Sequence, residues 1–477
     1  MSTGLAPVAV GPSWHRQTGV ALLIICCSVL LGVAVGAPSP AVWISIGVLT
    51  WAATIYASLK WPFWSLLVMM TQAILLVVVR LLELRSVNFI DLLMPPVLLA
   101  TLYASTRLRE RERLEPGVAH ERLRLEARGL THAVLWFSAA ALLSLVQLTR
   151  LAGVKAALDS GLLLTRSYQG LLFYPMCAWW LRGGKRVESA WNALIIAGIA
   201  LAAVNVIGVT FWDVKRAGMT LFLNNTDAPL STPNEAGITT LFVAVVAMVR
   251  QSIRPNWKNV ALVVLMLLVL GLTQSRSGIL AWATFGLFTL RWVRPVQLLA
   301  GTLGVAAMLP IIPEALWIRL TRSIMLEPGS NEAISMFVRL FTWRVAWDVF
   351  RDFPWTGVGY IGFRFVSHRY NQFNMLLGTV ENYYFEMLVS LGIFGFGLLV
   401  WVIVKLFRLG HEVRRIAPKD TLAHQMARFH TPLMLALLVA NMTGDNLTGL
   451  TSLAQVSLWT AILVRSGHAA VSERAPS

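Results

Sequence analysis

The residues best suited to chemistry are few and scattered. Glu381 and Asn382 stand where a long polar stretch, 311–381, meets an apolar run. A carboxylate at such a junction can take a proton from a hydroxyl. Desolvation raises its pKa and a nearby guanidinium lowers it. The competing reading of Glu381 is an acid placed to suit a helix dipole. Arg276 lies in Thr273-Gln274-Ser275-Arg276-Ser277-Gly278, a polar patch between two apolar runs. An arginine there is costly unless it meets a polar cavity or partner. With Ser275, Ser277 and the first amides of the next helix it could hold a phosphate. Alternatively it snorkels to headgroups.

Arg216 precedes Pro233-Asn234-Glu235-Ala236-Gly237, where Asn234 or Thr232 suits an N-cap. It either binds an anion or balances Asp213 or Asp227. Arg339 either binds an anion or anchors a helix at an interface. His368, followed by Arg369, is a second candidate base, and Asp445 with Asn446 a weaker acid. A guanidinium makes two charge-assisted bonds and keeps its proton, so two or three of them could stabilise a departing diphosphate without a metal. The sequence shows no aspartate pair at metal-ligand spacing in the segments assigned to the face that carries these residues, so no metal is expected.

The elements that must position these residues are membrane helices. Of 477 residues, 57% are hydrophobic and 13% charged, against roughly a quarter charged in soluble domains. Apolar runs of about twenty residues recur, long enough to cross a bilayer, and unbroken runs imply helices, not barrel strands. The expected spans are 18–37, 41–59, 62–80, 88–106, 131–148, 169–182, 189–210, 236–250, 259–273, 277–293, 295–311, 383–405, 430–445 and 450–465. The fold class is therefore all-α and polytopic, with about 12–14 transmembrane helices. The first run lacks a cleavage site and reads as a retained helix.

The net charge of +17 falls mostly between the spans. It reads as topology signalling and attraction to anionic membrane lipid, with no groove-reading motif for nucleic acid. Basic clusters at Thr106–Gly129, Arg182–Arg186, Arg250–Lys258, Arg291–Arg294 and Lys405–Arg428 mark one side as cytoplasmic, with both termini there. Thr106–Gly129 reads as an interfacial helix interrupted at Pro116-Gly117. The opposite side receives Thr149–Gln169, Phe211–Glu235, Thr273–Ser277, the loop 311–381 and Asp445–Gly449. Of eight histidines only His368 falls there, the others being cytoplasmic or at that interface, so a zinc site is not expected. Within the loop, Phe337, Phe341, Val345 and Val349 recur at helical spacing, with Arg339, Trp343 and Trp347 on another face. This predicts an amphipathic helix along the outer interface, ending at Asp352-Phe353-Pro354 and the turn of Gly357 and Gly359.

Four motifs in this order resemble the O-antigen ligase and O-antigen polymerase superfamily of bacterial envelope enzymes. They are Pro-Asn-x-x-Gly at 233–237, Ser-Arg-Ser-Gly at 275–278, Arg339…Trp347…Pro354-x-x-Gly357-x-Gly359, and Glu381-Asn382 followed by Gly392-x-x-Gly395. The resemblance implies a fold similar to GT-C glycosyltransferases. It implies inverting, metal-independent transfer, without a cofactor, from an undecaprenyl-diphosphate-linked glycan donor to an acceptor sugar hydroxyl at the periplasmic face of the inner membrane. Arg216 and Arg276 would bind the diphosphate, and Glu381 would be the base. Arg339, Asn382, Asn234, Ser275, His368, Arg369 and Asp445 are the candidate substrate-binding set.

Ligases of this family usually carry histidine where this chain has Glu381, which favours a polymerase of repeat units. Transfer to a lipid A-core acceptor is the alternative. A transporter or flippase of an anionic lipid-linked substrate is a third reading, but it should place charge near the midplane of broken helices. The expected division is a transmembrane region at 1–168 and a catalytic membrane region at 169–477.

Overall fold

A computed structural model describes residues 56, 58–75, 94–102, 118–181, 184–211, 233–273, 275–292, 331–372, 377–444, 447 and 450–472. Among these residues the elements are helices, joined by turns and short irregular stretches. The longer ones are α1 (Pro62–Leu75), α2 (Val118–Trp180), α3 (Gly184–Phe211), α4 (Pro233–Ile253) and α5 (Trp257–Thr273). There follow α6 (Arg276–Thr289), α7 (Asn331–Asp352), α8 (Tyr383–Ile416), α9 (Leu422–Ala440) and α10 (Leu450–Ser472). Four of them, Glu121–Trp180 within α2, Gly184–Ile207 within α3, α4 and α8, are long and apolar enough to cross a membrane. The chain is an all-α polytopic membrane protein. The expected spans 18–37 and 295–311, and 41–59 except for residues 56, 58 and 59, lie outside the described residues.

α2 corrects two expectations. The helix begins at Val118 and runs through Gly129 without a break, so 118–129 is not a separate interfacial segment. The stretch Thr149–Gln169 is helical, not a loop. The chain reverses at Gly153 alone (φ +87°, ψ 170°). Its two arms lie antiparallel: the Tyr168 hydroxyl donates to the Ser138 carbonyl at 2.6 Å, and Gly161 faces Leu145. A polar loop was expected because a hairpin usually needs one; one residue with positive φ suffices. Glu126 pairs with Lys405 of α8 at 3.1 Å, tying the first arm to the opposite strand of the bundle.

α4 is the axis of the core, buried almost continuously from Ala236 to Val249. Its apolar side chains leave no polar face, as suits a helix surrounded by others. α8 and α9 run antiparallel, since Tyr384 bonds the Leu438 carbonyl and His430 bonds the Leu406 carbonyl. His430 is fully buried inside the bundle, also accepting from Trp459 Nε1 at 3.0 Å. Phe285 of α6 stacks on Phe429 at the start of α9. The starts of α4, α6 and α8 therefore gather at the same end as the close of α9.

α8 is interrupted at Gly392 (φ +65°). The interruption frees carbonyls that a continuous helix would bond. The turn after α7 fills them: Val358 N–H donates to Val389 and Gly359 N–H to Ser390, at 3.0 and 2.9 Å. In return Ile393 N–H donates to Pro354. The approach is so close that a Cβ on Gly392 would lie 2.2 Å from the Trp355 carbonyl oxygen, and one on Gly357 2.4 Å from that of Ser390. Tyr360, next along, is gripped by both arms of α2. Its N–H donates to Ser144 Oγ, its carbonyl accepts from Ser160, and its hydroxyl meets Ser167.

Gly392→Ala should lower stability by about 1–3 kcal/mol, since both the positive φ and the Trp355 contact oppose a side chain. Gly397→Ala, with no atom within 4 Å of the added carbon, should be neutral. Unfolding of the two purified variants in detergent measures the difference.

Candidate active site

The segment joining the loop to α8 is over-determined by bonds. Val380 N–H donates to Glu386 Oε2 at 3.0 Å, and the Val380 carbonyl accepts from Trp343 Nε1 at 2.9 Å. Asn382 caps α8, its side-chain oxygen accepting from the amides of Tyr384 and Phe385. Tyr383 N–H reaches the carbonyls of Asn441 and Gly444 after α9. Glu381 sits between these clamps with φ +53°, a left-handed conformation that side chains other than glycine rarely adopt. Such a residue persists only where its surroundings hold it, and such residues cluster at functional sites.

The Glu381 carboxylate takes a charge-assisted bond from Arg339 Nε at 2.5 Å, while 46% of its side chain stays accessible. Arg339 comes from α7, the helix expected from the spacing of Phe337, Phe341, Val345 and Val349. The C-terminal half of that helix buries Val345, Ala346 and Val349. Its N-terminal half leaves Ile334, Met336, Phe337 and Leu340 exposed, as suits a helix lying in an interface. Phe337 is thus not part of the buried face.

A second group forms at the starts of α4 and α6. Asn234 lies inside the first turn of α4, not ahead of it as a cap. Its Oδ1 accepts from Ser275 Oγ at 2.9 Å, and Ser275 Oγ in turn accepts from Gly278 N–H as the cap of α6. Ser275 is fully buried, and its hydroxyl fixes the start of α6. Gly237 and Gly278 meet here: a Cβ on Gly278 would lie 2.9 Å from the Gly237 Cα. Arg276 follows the cap directly, half-buried, at the end of the bundle that carries Glu381.

His368 and Arg369 lie on a short helical turn, Ser367–Tyr370, packed against α7. Ser367 Oγ accepts from Leu377 N–H at 2.9 Å, and Tyr370 donates to Asp352 at 2.8 Å. Burial, then that bond, pushes the Tyr370 phenol up to about 12. Asp352 is about 20 Å along α7 from Arg339, so this turn is tied to the far end of the helix. His368 Nδ1 is buried with no hydrogen-bond partner among the described residues. Arg216 and Asp445 lie outside the described residues.

Residues 261–400 match the family model described as O-antigen ligase. The match supports the O-antigen ligase and polymerase superfamily, and with it glycosyl transfer of that type. It takes in Arg276, Arg339, His368, Arg369, Glu381 and Asn382, while Arg216, Asn234 and Asp445 fall beyond its limits. No curated protein matches the chain.

The sequence reading passed over Glu386. It is 1% exposed and accepts from Val380 N–H and Ser390 Oγ. The signal was available: a carboxylate inside an apolar run is expensive unless it is bonded. Glu386→Ala would leave two buried donors without their acceptor and should cost about 2–4 kcal/mol in unfolding. Glu381→Gln should leave the unfolding midpoint near that of the parent chain. Equal destabilisation by both would merge the two roles.

Proposed function

We propose that the chain transfers a glycan from an undecaprenyl-diphosphate carrier to an acceptor sugar hydroxyl, with inversion and without a metal. The observation that carries this reading is Glu381. It is an accessible carboxylate in a strained backbone conformation, oriented by Arg339 and sharing an end of the bundle with Arg276. In the proposed step the acceptor hydroxyl gives its proton to Glu381. Its oxygen attacks the anomeric carbon, and the bond to the diphosphate breaks on the opposite face. The departing diphosphate keeps the bonding electrons, and Arg276 and Arg216 stabilise its charge. The fork geometry of arginine suits that task better than a point charge. His368, Arg369 and Asp445 line the acceptor path in this reading.

The site faces the periplasm, the termini lie in the cytoplasm, and the membrane is the bacterial inner membrane. The carboxylate at position 381, where ligases of the family usually have histidine, favours polymerisation of O-antigen or exopolysaccharide repeat units. The description of the matched family favours the second reading, transfer to lipid A-core. Deletion of the gene separates them on a gel of the envelope polysaccharide. Single repeats indicate a polymerase; core without polymer, and polymer still on its carrier, indicate a ligase. An unchanged profile would defeat both.

Glu381→Gln should lower the rate by roughly 10²–10⁴, the usual worth of a general base. Arg276→Lys should lower it by about a hundredfold despite the retained charge. Both would be read as product chain length or yield from purified, folded protein. Parent-level output from Glu381→Gln would remove the base from that residue.

A further inference from the structure

The end of the bundle opposite Glu381 contains a cavity of about 330 Å³ between α3, α4, α10 and the start of α9. That volume is at the lower end for small-ligand sites, roughly 300–1,000 Å³. Trp191 and Ser466 line it and are 4% and 6% exposed. Among the described residues, neither Trp191 Nε1 nor Ser466 Oγ has a hydrogen-bond partner. Buried polar atoms are nearly always satisfied. Two such groups, both able to donate, on two different helices and in one cavity point to an acceptor-rich occupant.

The charge of the lining agrees. Arg250 and Arg254 contribute two positive charges and Glu188 one negative, a net of +1. Glu188 is engaged by Arg254 at 3.2 Å. Arg250 spends one N–H on Asn192 at 2.7 Å, out of the five its guanidinium carries. Two helices also begin at the cavity, α3 at Gly184 and α9 at Leu422. Thr421 caps α9 by accepting from the His424 amide; the other first amides lack partners within their helices and favour an anion. Most of the remaining wall is apolar, from Val187, Ile253, Leu422 and Ala470.

We propose that this cavity binds a phosphate ester, with an anionic phospholipid headgroup as the source its apolar wall favours. The phosphate oxygens accept from Trp191, Ser466 and Arg250, and the glycerol body lies on the wall. Basic pockets between helices at the more positive side of a membrane protein suit such lipids.

The test uses the full chain and native mass spectrometry in detergent, with phosphatidylglycerol, phosphatidylcholine and glycerol 3-phosphate as probes. The parent chain should retain phosphatidylglycerol in preference to phosphatidylcholine. Trp191→Phe keeps an aromatic ring beside Trp459, whose centroid is 6.3 Å away, and removes the donor together with part of the indole's volume. It and Ser466→Ala should each weaken retention about tenfold, and Arg250→Gln by more. Thermal unfolding checks that each variant is folded. Equally tight binding of glycerol 3-phosphate, with the same losses in the variants, keeps the phosphate site and assigns it to a soluble ester. Equal retention of phosphatidylcholine, or folded variants that bind as the parent does, overturns the proposal.

Discussion

The backbone junction between the turn at 354–359 and the interruption at Gly392 is the constraint from which the site follows. A helix broken inside an apolar bundle exposes carbonyls that no water can satisfy cheaply. Here the missing donors are Val358 and Gly359, and the matching acceptor is Pro354. Side chains at 357 or 392 would push these backbones apart. The polar loop is therefore latched to α8 at one point, and α2 secures it through Tyr360. That latch holds α8 beside the turn that follows α7, and Glu381 lies just ahead of α8, paired with Arg339 of α7.

Two carboxylates five residues apart show how environment divides labour. Glu386 is buried, and its oxygens serve the backbone of Val380 and the hydroxyl of Ser390. Glu381 is accessible and meets a cation, Arg339. The first is a strut for the second. Much of the strain at Glu381 is met by bonds on its neighbours, which is how a protein keeps an uncommon backbone conformation at a place where chemistry is done.

The helical class and the amphipathic α7 were legible in the sequence, because long apolar runs and four-residue spacing are local signals. The motifs were legible too, but not their partnership. Asn234 meets Ser275 and Gly237 meets Gly278; Gly357 meets the backbone beside Gly392. Four separate motifs are two pairs, and pairing across such distances is not a local property. The same holds for Arg339 and Glu381, 42 residues apart. The reversal at Gly153 was hidden for the opposite reason: one glycine carries the turn, so no polar stretch announces it. The burial of His430 was not legible because its polar partners, Trp459 and the Leu406 carbonyl, come from other helices.

Arg339 and Trp343 are one helical turn apart on α7, and their partners, Glu381 and the Val380 carbonyl, are consecutive residues. Two rungs on a helix thus meet two adjacent residues of the segment that enters α8. A residue inserted or deleted between them would swing one rung about a hundred degrees around the axis, and both contacts could not survive together. Spacing within 339–343 and 380–381 is therefore far less free to drift than residue identity on the exposed flank of α7, where length and composition face no such phase requirement.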